Sequence, residues 1–215
     1  MKKSISRAFI FDFDGVLVDL EPLHCKAWQG ILKPLGIIFT KEEYDQKYLG
    51  LNDRDIAKKV FADKKHSLSD KMLQELIRQK EIYAKTLFLK GAPLINGAKE
   101  FVETAFQNGP MSIVTGGLPG EVYFVLEQLK WRHYFPIIIT ATDVTNGKPD
   151  PEGFLKAFEK LKKIQKWDPL LKKSDCLILE DSQYGIEAAK KAGIPHFAIQ
   201  KDFKDILTKV FSSVK

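Results

Sequence analysis

The sequence predicts an α/β protein: a doubly wound, Rossmann-like parallel sheet core with an inserted all-helical cap domain. Five short apolar runs recur along the chain, segments of helical spacing lie between them, and one long stretch after the first run carries helical patterns but no convincing strand. Bounded apolar runs of this length suit strands buried on both faces, and their alternation with helices is what parallel pairing requires, since each return crossover needs a helix.

The five runs are Ala8 to Phe11, Ser112 to Val114, Ile137 to Ile139, Leu177 to Leu179 and His196 to Ile199. Between them Ala98, Phe101, Val102, Ala105 and Phe106 fall at helical spacing, as do Phe154, Leu155, Phe158 and Leu161, with Gly109 and Gly193 placed to end helices. From about Glu21 to Lys90 the rhythm changes. Ile56 and Val60 mark a shorter helix there, and Met72, Leu76, Tyr83, Ala84 and Leu87 one face of a long one. The expected division is residues 1–20 and 91–215 as the α/β core and residues 21–90 as the helical cap. Ligands of open parallel sheets bind outside the carboxyl ends of the strands, so this cap is expected over the site.

With 215 residues, 44% of them apolar, the chain can bury a core without a disulfide or a structural metal. Cys25 and Cys176, far apart in sequence, read as small core residues in a reducing compartment. The basic start MKKSISR precedes an apolar run too short for a signal peptide or a membrane span, so a cytoplasmic location is expected. The net charge of +6 arises from dispersed lysines, such as Lys58 with Lys59 and Lys190 with Lys191, without interleaved aromatics. That pattern fits solvated helix faces better than a nucleic-acid surface, so neither nucleic acid nor membrane is an expected partner. The default oligomeric state is a monomer.

Chemistry gathers at the strand ends. The first strand runs into Asp12, Phe13, Asp14 and Gly15, the second into Thr115, Gly116 and Gly117, and the fourth into Glu180, Asp181 and Ser182; Lys148 follows the third. Parallel strands deliver all of these to one edge of the sheet. Asp12 with Glu180 and Asp181 forms a hard oxygen set of the kind Mg²⁺ prefers, and the metal would offset repulsion between a carboxylate nucleophile and an anionic ester. Thr115 with the amides of Gly116 and Gly117 could cradle phosphate oxygens, and Lys148 supplies a positive charge. Asp14 could protonate a leaving oxygen and later activate water. Ser182, and with it Glu180 and Asp181, could equally cap the helix that follows.

The stretches DFDGVLVD (Asp12 to Asp19), TGG (Thr115 to Gly117), GKPDPEGF (Gly147 to Phe154) and EDSQYGIEAAKKAGIP (Glu180 to Pro195) resemble, in order and spacing, the four motifs of the haloacid dehalogenase superfamily. The helical insertion looks like that superfamily's small mobile cap, in the branch of beta-phosphoglucomutase and related sugar-phosphate phosphatases. The resemblance implies that Asp12 is the phosphoaspartate-forming nucleophile and Asp14 the acid/base. It implies Thr115 and Lys148 as phosphate holders, and Asp12, the Asp14 carbonyl, Glu180 and Asp181 as the magnesium environment. In the cap it points to His24, near the leaving oxygen, and to Arg54, one residue later than the mutase arginine. His24 and Trp28, four apart on one helix face, could also be a packing pair. Lys80 and Tyr83 resemble a further cap pair at shortened spacing, and Leu20 stands where a hydroxyl residue is common.

These departures favour a Mg²⁺-dependent phosphatase of a small phosphorylated metabolite, a sugar phosphate for example, over a phosphomutase of the beta-phosphoglucomutase type. A phosphorylatable receiver domain shares the clustered acids but not the seventy-residue insertion. Dehalogenation is disfavoured by Asp14, because a leaving halide needs no proton.

Overall fold

The computed structural model describes residues 8–49, 51–164, 170–200 and 202–211. In chain order the elements are β1 (Ala8–Phe11), α1 (Glu21–Leu32), α2 (Lys41–Lys47), α3 (Asp53–Asp63), α4 (Asp70–Phe88), α5 (Ala98–Asn108), β2 (Met111–Val114), α6 (Pro119–Gln128), β3 (Ile137–Ile139), α7 (Glu152–Leu161), β4 (Cys176–Glu180), α8 (Gln183–Ala192), β5 (His196–Ala198) and α9 (Lys204–Phe211). The chain divides into two compact units, one comprising Met1–Asp19 and Pro93–Lys215, the other Leu20–Ala92.

The first unit is the expected doubly wound sheet. Its strands are all parallel and lie in the order β3-β2-β1-β4-β5. The winding reverses between β1 and β4, whose registers align Phe11 with Leu179. Such a reversal leaves a crevice beyond the two carboxyl ends, because the connections leave in opposite directions. Strand periodicity decides the two cores. Ala8 and Ile10 join Phe154 and Phe158 of α7 and Ala188 of α8 on one face. Phe9 and Phe11 face the other way, where Phe101 of α5 meets them at ring separations of 6.0 and 5.9 Å. Phe203 and Phe211 close around the same ring at 4.8 and 5.3 Å. The fifth strand, at one edge of the sheet, is less buried than its apolar run suggests, with His196 and Phe197 half-buried. Cys25 and Cys176 are both buried free thiols.

The second unit is helical. Thr40, Asn52 and Ser69 accept hydrogen bonds from the amides of Glu43, Asp55 and Met72, which caps α2, α3 and α4 as these residue types do. α1 lies along α4 around a core that includes Trp28, Tyr48, Phe61 and Leu76. The long helix marked in the sequence is α4; its buried stripe is Leu73, Leu76, Lys80, Ala84 and Phe88, with Met72 and Leu87 half-buried and Tyr83 42% exposed. Apolar spacing alone does not reveal the lysine in this stripe. No helix among the described residues is long and apolar enough to cross a membrane.

Phe101 is the ring on which one face of the sheet converges. Phe101→Ala is expected to destabilise the protein by about 3–5 kcal/mol in a denaturant titration; a loss below about 1 kcal/mol would contradict this reading of the core.

Candidate active site

Asp12 is the first residue past β1, and its amide donates to the Leu179 carbonyl at 2.9 Å, carrying the β1–β4 pairing one step beyond the strand. That bond sets Asp12 beside Glu180, the last residue of β4, at the reversal of the sheet. Lys148, from the loop after β3, reaches both: its Nζ lies 2.8 Å from Asp12 Oδ1 and 2.6 Å from Glu180 Oε2. Asp12, Glu180 and Asp181 offer carboxylate oxygens all within 4.8 Å of one another. Three acids from two strands and one lysine therefore meet in one place, as their strand-end positions predict.

Glu180 is fully buried and is held at both oxygens. Oε2 takes Lys148, while Oε1 accepts from the Ser182 amide at 3.1 Å and the Ser182 hydroxyl at 2.7 Å. Ser182 Oγ in turn accepts from the Gly185 amide at 3.0 Å, so Ser182 caps α8 and orients Glu180 at once. A Cβ at Gly185 would stand 2.0 Å from the Glu180 carboxyl carbon, so the first turn of α8 fits against this acid only as glycine. Gly15 does the same for Asp181. Its φ of +82° is open to glycine, and a Cβ there would meet Asp181 Oδ2 at 2.1 Å. Sequence pattern alone does not reveal Ser182's second bond or these two close approaches. The available signal was Gly185 inside a helix, where glycine costs about 1 kcal/mol against alanine.

Asp14 is half-buried in a tight loop closed by the Gly15 amide on the Val18 carbonyl at 2.7 Å. Thr115 continues β2, its amide bonded to the Ile139 carbonyl at 2.9 Å. Its Oγ1 accepts the Gly117 amide at 3.0 Å, so Gly117 spends its donor locally, whereas Gly116 is exposed. The Gly117 amide, one of the expected phosphate donors, is thus engaged within its own loop. The remaining two candidates, His24 and Arg54, belong to the helical unit. Arg54 is exposed in the first turn of α3. Trp28 is fully buried in the helical core, which makes it a packing residue. Lys80 Nζ lies 2.8 Å from His24 Nδ1 and 3.0 Å from Asp53 Oδ2. An ammonium can only donate, so Nδ1 accepts and the His24 proton resides on Nε2. Burial, with the adjacent Lys80 charge, holds His24 well below the ordinary histidine range, as a neutral ring.

The electrostatics of the acid cluster are unbalanced. Burial and the nearby Glu180 carboxylate push Asp12 up to about 7 against the pull of Lys148, with Asp181 adding to the rise. Burial works against the charge on Lys148, but Asp12 and Glu180 outweigh it and hold the lysine above its ordinary value. Lys148 pairs with Asp12 and Glu180, and the all-oxygen donor set that these two form with Asp181 fits a hard divalent ion.

A doubly wound sheet with an acid cluster at its reversal point and an inserted helical unit defines a hydrolase fold of the phosphoric monoester class. The chain belongs to the haloacid dehalogenase-like hydrolase family, whose model matches residues 9–199. It is similar to a phosphorylated carbohydrates phosphatase from Thermotoga maritima, 30% identical over 189 residues that cover 87% of this chain and 82% of that protein. A beta-phosphoglucomutase from Bacillus subtilis is 27% identical, with 87% and 80% covered. Among solved structures, a HAD hydrolase, family IA, variant 3, from Entamoeba histolytica superposes with a TM-score of 0.76 at 26% identity, over 95% of this chain and 89% of that one.

The raised Asp12 proton affinity has a definite sign. Without metal, the folded protein keeps a proton on Asp12 that the unfolded chain releases near pH 4, so this contribution to stability is present in acid and is lost as pH rises toward 7. Asp12→Asn is therefore expected to melt above the parent at pH 8 in a chelator, with the gap narrowing toward pH 5. A lower melting temperature for the variant at pH 8 would contradict the crowding of charge described here.

Proposed function

We propose that the protein is a Mg²⁺-dependent phosphatase that hydrolyses a small phosphomonoester, a sugar phosphate, through an aspartyl-phosphate on Asp12. The observation that carries this reading is the Lys148 ammonium set between Asp12 and Glu180, with Asp181 in the same cluster. The Thermotoga maritima relative, named for phosphorylated carbohydrates, supports the substrate class. The two buried free thiols suit a cytoplasmic enzyme, and a monomer is the simplest state for it.

In this reading the phosphate lies at the carboxyl edge of the sheet, held by the Thr115 hydroxyl, the Gly116 amide beside Gly117, and Lys148. Asp12, the Asp14 carbonyl, Glu180 and Asp181 hold Mg²⁺, which when bound offsets the carboxylate charge and polarises the phosphoryl group. A carboxylate oxygen of Asp12 forms the new bond to phosphorus as the ester P–O bond breaks, and Asp14 gives its proton to the departing alkoxide. Asp14, now a carboxylate, takes a proton from water as the water oxygen attacks phosphorus; the Asp12 P–O bond breaks and inorganic phosphate leaves. Lys148 balances charge on the phosphoryl oxygens throughout. In this reading residues 21–90 are the cap, and His24 and Arg54 are its candidate substrate contacts.

The similarity to a beta-phosphoglucomutase favours a phosphomutase as the second reading. One assay separates the two. Inorganic phosphate is measured with and without Mg²⁺ from a panel of sugar, polyol and nucleotide phosphates that includes beta-glucose 1-phosphate, with glucose 6-phosphate followed in parallel. The expected result is Mg²⁺-dependent phosphate release from a sugar or polyol ester, lowered at least about a thousandfold by Asp12→Asn. Glucose 6-phosphate formed with little free phosphate would establish the mutase, and undiminished turnover by Asp12→Asn would overturn both readings.

A further inference from the structure

Lys148 has a third partner besides its two carboxylates. Its Nζ stands 5.3 Å from the centroid of the Phe154 ring, within cation–π range. The sequence between them is folded to make this contact. The Asp150 amide bonds the Gly147 carbonyl at 3.0 Å and the Glu152 amide bonds Asp150 Oδ1 at 2.9 Å, turning the loop back into α7. A Cβ at Gly153 would lie 2.8 Å from Val114 Cγ1, so glycine lets the first turn of α7 press against the end of β2. Phe154 follows at once and is 1% exposed, its ring fixed by the core.

The three partners of Lys148 differ in what else they can bind. Asp12 and Glu180 are two of the three carboxylates that can hold a metal ion. A cation bound there would draw on the negative charge of the same two carboxylates, so their attraction for Lys148 would weaken when the site is loaded. The face of Phe154 binds no metal and carries no net charge, so its hold on the ammonium persists while leaving the positive charge available to an anion. We infer that Phe154 is a positioning residue: its ring keeps Lys148 at the sheet edge, turned to phosphate, after the carboxylates have been claimed by metal. This rests on the proposed role of Lys148 as a phosphate holder.

The test replaces Phe154 by mono-, di- and trifluorinated phenylalanine, which keeps the ring's shape while draining its negative face. Affinity for inorganic phosphate in the presence of Mg²⁺ is measured by calorimetry, alongside the unfolding midpoint. A stepwise fall in affinity is expected, reaching about three- to tenfold at the trifluorinated ring, at a nearly constant midpoint. A flat series overturns the inference, as does a fall in affinity that follows a matching loss of stability. Lys148→Gln is measured in parallel. Its loss of phosphate affinity beside a flat fluorine series removes the role of Phe154 alone, whereas unchanged affinity in Lys148→Gln removes Lys148 from phosphate binding and the inference with it.

Discussion

One buried ammonium makes the rest of the site possible. Two carboxylates at adjacent strand ends would repel each other in a poorly solvated crevice, and burying an unpaired charge is far costlier than any single packing contact gains. Lys148 spans Asp12 and Glu180 and so lets both stand there. The compensation is incomplete, since Asp181 joins the same cluster and Asp12 is pushed to about 7. That residual imbalance, on an all-oxygen donor set, is the chemistry a hard divalent ion would offset.

The topology explains why these residues meet. Five parallel strands aim their carboxyl ends at one edge, and the reversal between β1 and β4 opens a crevice where Asp12 and Glu180 emerge side by side. Dry packing on both faces fixes the strand ends: aromatic rings around Phe101 on one side, α7 and α8 on the other. Close approach then sets the acids in place. Gly15 admits Asp181 and Gly185 admits Glu180, while Ser182 joins the helix cap to the carboxylate it steadies.

Much of this was legible in the sequence, for identifiable reasons. Buried parallel strands are uninterrupted apolar runs, so β1 to β4 announce themselves, and residues just past them must share an edge; hence Asp12, Thr115, Lys148, Glu180 and Asp181 could be named together. What periodicity cannot see is a polar residue in an apolar stripe. Lys80 occupies a core position of α4 because His24 and Asp53, distant in sequence, receive its protons. Nor can it see local competition for donors: the Gly117 amide turns to Thr115 Oγ1 instead of staying open.

The central claim is that Asp12 carries the phosphoryl group. It is tested most directly by mixing the enzyme and Mg²⁺ with a radiolabelled phosphomonoester, quenching in acid within milliseconds, and mapping the labelled peptide by mass spectrometry. The account predicts a transient, acid-stable and base-labile acyl phosphate on Asp12, which persists longer in Asp14→Asn. Turnover with label on another residue, or with no covalent label in either protein, would contradict it.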